Sequence, residues 1–253
     1  MFESEFSAVA NAAQNKVNFM RKNPVGYLVM AMLAGIFVGV GVLLAFTIGG
    51  QLSGQPYAKM LMGASFSVAL SLVVMAGSEL FTGNNMVLFI GTQKETVLWQ
   101  DVIVLWVVCW IGNAVGSVLL AFIYHMTGLC TGAVAETMAA AAVAKMSAAP
   151  QQLLTRGILC NFLVCIAVWC ATKCKTESGK LIMIFWCILA FFTTGFEHSV
   201  ANMTLLTVAL LNPAGQALTI SGWFYNLLWV TLGNMFGGIL LAAVPYTLAQ
   251  PKS

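Results

Sequence analysis

Charge is scarce in this chain. Asp, Glu, Lys and Arg make up 8% of its 253 residues while 60% are hydrophobic, against about 25% charged in soluble domains. That deficit excludes a soluble globular protein and predicts one polytopic transmembrane domain over residues 1–253, with no room for a separate soluble unit. The net charge of +3 comes from basic residues at the ends of apolar runs, not from a basic face, so no nucleic acid is expected as a partner. Paired cysteine spacing is also missing. The seven cysteines are odd in number and lie mostly within or beside apolar runs, which excludes a disulfide framework. Cys170-x-x-x-Cys174 has no histidine or further cysteine nearby, so neither a metal nor a cofactor is expected. Histidine is limited to His125 and His198. No Gly-x-Ser-x-Gly elbow and no suitably spaced carboxylate accompany His198 and Ser199. Adjacent helical residues do not face each other, so the chain does not read as an enzyme.

What is present is long apolar runs. Hydropathy gives six, at 25–48, 61–92, 99–126, 153–172, 181–211 and 223–248, each at or above the ~20 residues that cross a bilayer. The polar stretch 1–24 lacks the apolar core of a signal peptide and reads as a short interfacial helix ending before Pro24. The second and fifth runs are too long and too polar in the middle for simple helices. Gly77-Ser-Glu-Leu-Phe-Thr-Gly-Asn-Asn85 interrupts one, and the segment from Gly195 to Asn202 interrupts the other. With both termini on one side, that side holds Lys16, Arg21, Lys22, Lys94, Lys173, Lys175, Lys180 and Lys252. The other holds Lys59, Lys145 and Arg156. Eight against three places the termini in the cytoplasm.

The chain repeats itself. Gly77-x-Glu79-x4-Asn84 recurs 118 residues on as Gly195-x-Glu197-x4-Asn202, and Gly112-Asn113-x-x-Gly116 recurs 121 residues on as Gly233-Asn234-x-x-Gly237. Gly35-Ile36 pairs with Gly157-Ile158 at 122. The repeats therefore run over 25–126 and, with a connection, 127–248. Three spans per repeat make the two copies antiparallel in the membrane, an architecture in which broken helices from both halves meet near the midplane. Irregular backbone survives at that depth only inside protein or along a cavity, so both breaks should flank one pathway. The fold class expected is an all-α membrane protein of six transmembrane helices in two inverted three-helix repeats, with the second and fifth helices broken.

His198 lies in the break itself, and an ionisable group at that depth is a functional-site hypothesis by default. His125, at the end of the third run, reads as an ordinary interfacial histidine. Glu79 and Glu197 hold equivalent places; each could relay protons or brace the loop, and their symmetry favours bracing. Lys145 stands almost alone among the alanines of the connection 136–147. It is either a solvated lysine or a local positive potential at a pore mouth, which would draw anions.

Three segments, Ser78-Glu-Leu-Phe-Thr-Gly83, Gly195-Phe-Glu-His-Ser-Val-Ala-Asn-Met-Thr204 and Asn226-Leu-Leu-Trp-Val-Thr-Leu-Gly-Asn234, resemble the signatures of the formate/nitrite transporter family. Together with Trp186-Cys-Ile-Leu-Ala-Phe191 they are most similar to its nitrite-channel branch. The resemblance runs from about residue 10 to the C-terminus. It implies a homopentamer of aquaporin-like protomers in a bacterial cytoplasmic (inner) membrane, each with its own pore for small monovalent anions and protons. By the same resemblance His198 is the central histidine, Thr82 the threonine of the second-helix loop, and Lys145 the vestibule lysine. Asn161 and Asn234 match asparagines near the pore, and Glu197 belongs to the pathway. Apolar constrictions are implied at Phe66, Leu70 and Phe191 toward the cytoplasm, and at Phe81 and Val164 toward the outside.

The expected mechanism follows from the cost of burying charge. An isolated carboxylate-like anion costs tens of kcal/mol to bury in the ideal limit. Protonating a weak acid about 3 pH units above its pKa costs roughly 4 kcal/mol. The anion is therefore expected to cross as its neutral acid. Formate, hydrosulfide or another small weak acid could replace nitrite. A proton-coupled symporter makes similar demands, and a water channel shares the inverted repeat but carries two Asn-Pro-Ala motifs that are missing here.

Overall fold

The structure, a computed structural model, describes residues 2–250. Its ten helices are α1 (Glu3–Lys22), α2 (Pro24–Gln51), α3 (Ala58–Gly77), α4 (Phe81–Gln93), α5 (Trp99–Met126), α6 (Gly132–Ser147), α7 (Pro150–Lys173), α8 (Glu177–Thr194), α9 (Ser199–Leu211) and α10 (Ile220–Leu248). Six of them, α2, α3, α5, α7, α8 and α10, are long and apolar enough to cross a membrane. The runs 61–92 and 181–211 each divide into one of these helices and a 13-residue half-helix, α4 or α9. At 1.5 Å per residue each half-helix is about 20 Å long.

Glycine makes both interruptions. Gly77 and Gly195 adopt φ of +79° and +86°, left-handed conformations that cost a residue with a Cβ about 1 kcal/mol or more. At Gly195 the chain closes α8 in a Schellman motif: Phe196 N–H donates to Phe191 O (3.0 Å) and Gly195 N–H to Phe192 O (3.1 Å). Two or three extended residues follow, including Leu80 and His198, before the next helix begins.

The two halves pack in the same way. Gly116 of α5 lies against the Met32 carbonyl of α2, and Gly237 of α10 against the Ile158 carbonyl of α7. In both places a Cβ would collide with backbone, the close approach that small residues permit between spanning helices. These contacts correct the repeat alignment. Met32 corresponds to Ile158, an offset of 126 rather than the 122 suggested by Gly35-Ile36. The sequence match had slipped by about one helical turn.

The terminal helix is more than interfacial. Its apolar face, with Phe6, Val9, Ala10, Ala13 and Val17 buried, joins the core. The residues expected as a connection between repeats form α6, which stands before α7 as α1 stands before α2. Asn23 begins α2 by accepting from Gly26 N–H at 2.8 Å, with Pro24 supplying the pre-set φ of a first helical turn.

Candidate functional site

Each break is held by one asparagine from the following span. Asn113 Nδ2 donates to Ala31 O (2.7 Å) and Glu79 O (2.9 Å), while its Oδ1 accepts from Phe81 N–H at 2.9 Å. Asn234 Nδ2 donates to Gly157 O and Glu197 O (both 2.9 Å), and its Oδ1 accepts from Ser199 N–H at 2.9 Å. One buried side chain thus satisfies an N–H and a carbonyl at the break, each costing about 1–3 kcal/mol if left unpaired, and ties them to a carbonyl of a neighbouring unbroken span. Asn234 is a brace, with Asn113 its counterpart. Asn161 joins the halves, its Nδ2 lying 2.7 Å from Asn234 O, 3.1 Å from Thr82 O and 3.0 Å from Asn85 Oδ1.

Both carboxylates are neutralised by a lysine. Lys145 Nζ lies 2.7 Å from Glu197 Oε2, which also accepts from Asn202 Nδ2 at 2.7 Å. Lys16 Nζ lies 2.8 and 2.7 Å from the two oxygens of Glu79, and Asn84 Nδ2 donates to Oε2 at 3.0 Å. The two glutamates thus sit in equivalent clamps, each between a lysine and the asparagine five residues on. Lys16 was missed. It is the fold's counterpart of Lys145, yet nothing in the sequence of a polar terminal helix connects it with a glutamate 63 residues away.

His198 has no such twin. It is the N-cap of α9, with Nδ1 accepting from Ala201 N–H at 3.2 Å. Because Nδ1 accepts, the hydrogen-bond network assigns the ring proton to Nε2, which lies 3.2 Å from Thr82 Oγ1. The ring is therefore neutral in this arrangement, stacked 6.0 Å from Phe191 at an interplanar angle of 20°. Leu80 occupies the matching position in the first half and offers no side-chain cap. Ser199 Oγ is buried with no hydrogen-bond partner, so it forms no pair with His198. His125 lies apart, its Nδ1 2.9 Å from Asn212 Oδ1.

Two cavities approach the histidine from opposite ends. One, of ≈ 350 Å³, is lined by Lys59, Lys145, Arg156 and Glu197 and reaches His198 and Phe191. The other, of ≈ 420 Å³, is lined by Lys16, Glu79, Leu70 and Leu80. Between them lies a void of only ≈ 10 Å³, walled by Phe66, Leu70, Leu80, Val164, Phe191 and His198, room for about one water at most.

The constriction residues fall differently from their expected grouping. Phe66 and Phe191 line the Lys145 cavity, whereas Leu70 lines the Lys16 cavity. Phe66 and Phe191 are thus on the side that the lysine and arginine count makes external, not cytoplasmic. Phe66 and Leu70 share one face of α3 a turn apart, about 6 Å along the axis, and so straddle the narrowest point. Val164 walls the central void instead of an external gate. Phe81 turns away from the axis into a lateral apolar pocket with Trp106 and Trp110; the neighbouring Leu80 takes the place in the path.

Two charged vestibules, separated by a narrow, mostly apolar neck and built from inverted halves with interrupted helices, define a multi-pass membrane protein of the channel type. A family model described as formate/nitrite transporter matches residues 3–248. The chain is 39% identical to the nitrite transporter NirC of Salmonella typhimurium over its whole length and 94% of that protein. A solved "FNT family ion channel" superposes with a TM-score of 0.94 at 38% identity, covering 99% of this chain and 100% of that one. A "pentameric formate channel with formate bound" superposes at 0.80 with 27% identity, covering 90% and 98%. The chain belongs to the formate/nitrite transporter family.

Proposed function

We propose that this protein is a pH-dependent channel for small monovalent weak-acid anions, nitrite foremost, that passes its substrate through the neck as the neutral acid. The observation that carries the reading is the ≈ 10 Å³ apolar void between two cation-lined cavities. An anion that keeps its water shell is too large for that neck, and one that sheds it carries an uncompensated charge past apolar walls; a neutral acid sheds its water at far lower cost. The NirC relative supports nitrite, and the likeness to a formate channel supports formate as the second reading.

In this mechanism the anion enters one vestibule and takes a proton from water there, forming an uncharged acid with the proton on its oxygen. It then crosses past Phe66, Phe191, Leu70, Leu80 and Val164 and releases the proton to water in the other vestibule. His198 Nε2–H and the Thr82 hydroxyl offer polar contacts at the neck. A cationic His198 would give up its acceptor bond to Ala201 N–H, which favours water over the ring as the proton source. Lys145 with Glu197, whose carboxylate accepts from Asn202 and whose backbone carbonyl accepts from Asn234, sets the field beside the ring. The protein works as a homopentamer in a bacterial cytoplasmic membrane, a reading supported by the pentameric relative, with both termini cytoplasmic by the lysine and arginine count.

The test is flux in proteoliposomes. Nitrite and formate uptake should rise as external pH falls, since each unit multiplies the neutral fraction about tenfold when the pKa lies well below pH. Uptake that is insensitive to pH, or no greater than in empty liposomes for both anions, overturns the proposal.

A further inference from the structure

The sequence singles out three cations on the Lys145 side, and the fold brings all three to one cavity although they come from three helices. Lys59 begins α3, Lys145 ends α6 and Arg156 lies in the second turn of α7. Their environments differ. Lys145 is half-buried and held 2.7 Å from Glu197 Oε2, and Glu197 is the one carboxylate among the lining residues. Lys59 and Arg156 are exposed, and among the described residues neither forms an ion pair. Three positive charges and one negative leave a net +2, and that surplus resides on Lys59 and Arg156.

Both are fixed relative to the break. A Cβ on Gly195 would lie 3.0 Å from Lys59 Nζ, so the ammonium sits over the hinge. The Arg156 carbonyl accepts from Glu197 N–H at 3.2 Å, tying its helix to the same loop. Lys59 also lies two helical turns from Phe66 on one face of α3, about 10 Å further out.

We propose that Lys59 and Arg156, rather than the carboxylate-paired Lys145, form the capture site that concentrates a monovalent anion at this mouth. This deepens the channel reading and rests on it for the identity of the anion, though not for the local potential itself. Lys145 with Glu197 then acts at short range as a neutral pair, whereas the two free cations reach into solvent. By Coulomb's law in water, a unit charge about 10 Å away changes local anion concentration about twofold, so losing both lowers it about fourfold at low ionic strength.

Two measurements on the full-length protein in liposomes test this. The first reads potential without transport. Thr137 lines the same cavity, and a Thr137→Cys variant is labelled from that side with a negatively charged and a positively charged methanethiosulfonate reagent, using protein with Thr137 intact as background. Lys59→Gln with Arg156→Gln should lower the ratio of the two rates about sixteenfold, the square of the fourfold change. Lys145→Gln with Glu197→Gln should leave it unchanged. An unchanged ratio in the first variant, or an equal fall in the second, overturns the proposal. The second measurement is nitrite influx: the half-saturating concentration should rise about fourfold in Lys59→Gln/Arg156→Gln at unaltered maximal rate, with the difference vanishing in high salt. A loss of maximal rate at unaltered half-saturation overturns it. Absence of both nitrite and formate flux in the unsubstituted protein refutes the channel reading alone, because the labelling ratio still decides the capture site.

Discussion

His198 Nε2 lies 3.2 Å from Thr82 Oγ1, and the two residues come from opposite halves of the repeat. The contact spans the neck at the point where the halves' symmetry fails, and His198 also holds the N-terminus of α9 through Nδ1. Two roles, cap and pathway, therefore meet in one ring and are separable by choice of substitution. His198→Asn keeps an N-cap acceptor, since asparagine is among the strongest capping residues, while His198→Phe removes it at about 1 kcal/mol. We expect His198→Asn to fold with near-native thermal stability in detergent yet slow nitrite flux, since the contact with Thr82 is lost. His198→Phe should lower both stability and flux. Flux equal to that of the unsubstituted protein in both variants would remove the histidine from the mechanism.

The asparagine frames predict a pair of matched losses. Asn234→Leu leaves Ser199 N–H, Glu197 O and Gly157 O without their side-chain partner, and Asn113→Leu does the same to Phe81 N–H, Glu79 O and Ala31 O. At about 1–3 kcal/mol per group, each variant should be destabilised by on the order of 3 kcal/mol or more, read as a fall in the fraction of folded oligomer on size exclusion after heating. Equal stability of either variant and the unsubstituted protein would contradict the bracing role.

Lys145 and Glu197 should behave as a coupled pair. Lys145→Met strands a carboxylate whose side chain is 4% exposed. Losing one partner of a buried pair costs about 3–5 kcal/mol, and the remaining bond from Asn202 puts this case at the lower end. The double variant Lys145→Met/Glu197→Gln should recover most of that stability. A double variant as unstable as the sum of the singles would mean that the two residues act independently.

Helix contact at the small residues gives a sharper test of fold than of function. Gly116→Ala and Gly237→Ala each push a methyl group into a facing carbonyl, of Met32 and of Ile158. Both should abolish recovery of folded protein, whereas Gly83→Ala, whose Cβ would meet only Val168 at an ordinary 3.5 Å, should be recovered in near-native amounts. Normal yields of all three would refute the claimed closeness of the spans.

The breaks were legible in the sequence because Gly77, Glu79, Gly195 and Glu197 are conspicuous inside apolar runs, and their repetition made the inverted architecture readable before any coordinates. Partner choice was not. Lys16 and Glu79 lie on a terminal helix and a loop whose approach depends on three-dimensional packing, and a lysine near a span end has the same composition whether it faces water or a carboxylate. The sides of the neck were equally hidden, since Phe66 and Leu70 differ by four residues on one helical face and only the depth of His198 tells them apart. Phe81 misled for a related reason. Leu80 is the last extended residue and lines the central void, whereas Phe81 opens α4 and lines the lateral pocket.

The matched hydrogen bonds also locate the difference between the two halves. From Ala31 to Glu79 the first half uses 48 residues, whereas Gly157 to Glu197 uses 40, yet both ends of each interval are fastened by one asparagine in the same way. The halves differ in length between the fastening points and not at them. The connections can therefore be unequal, and a leucine in one half can stand where a histidine stands in the other, while the carpentry around the gap is the same.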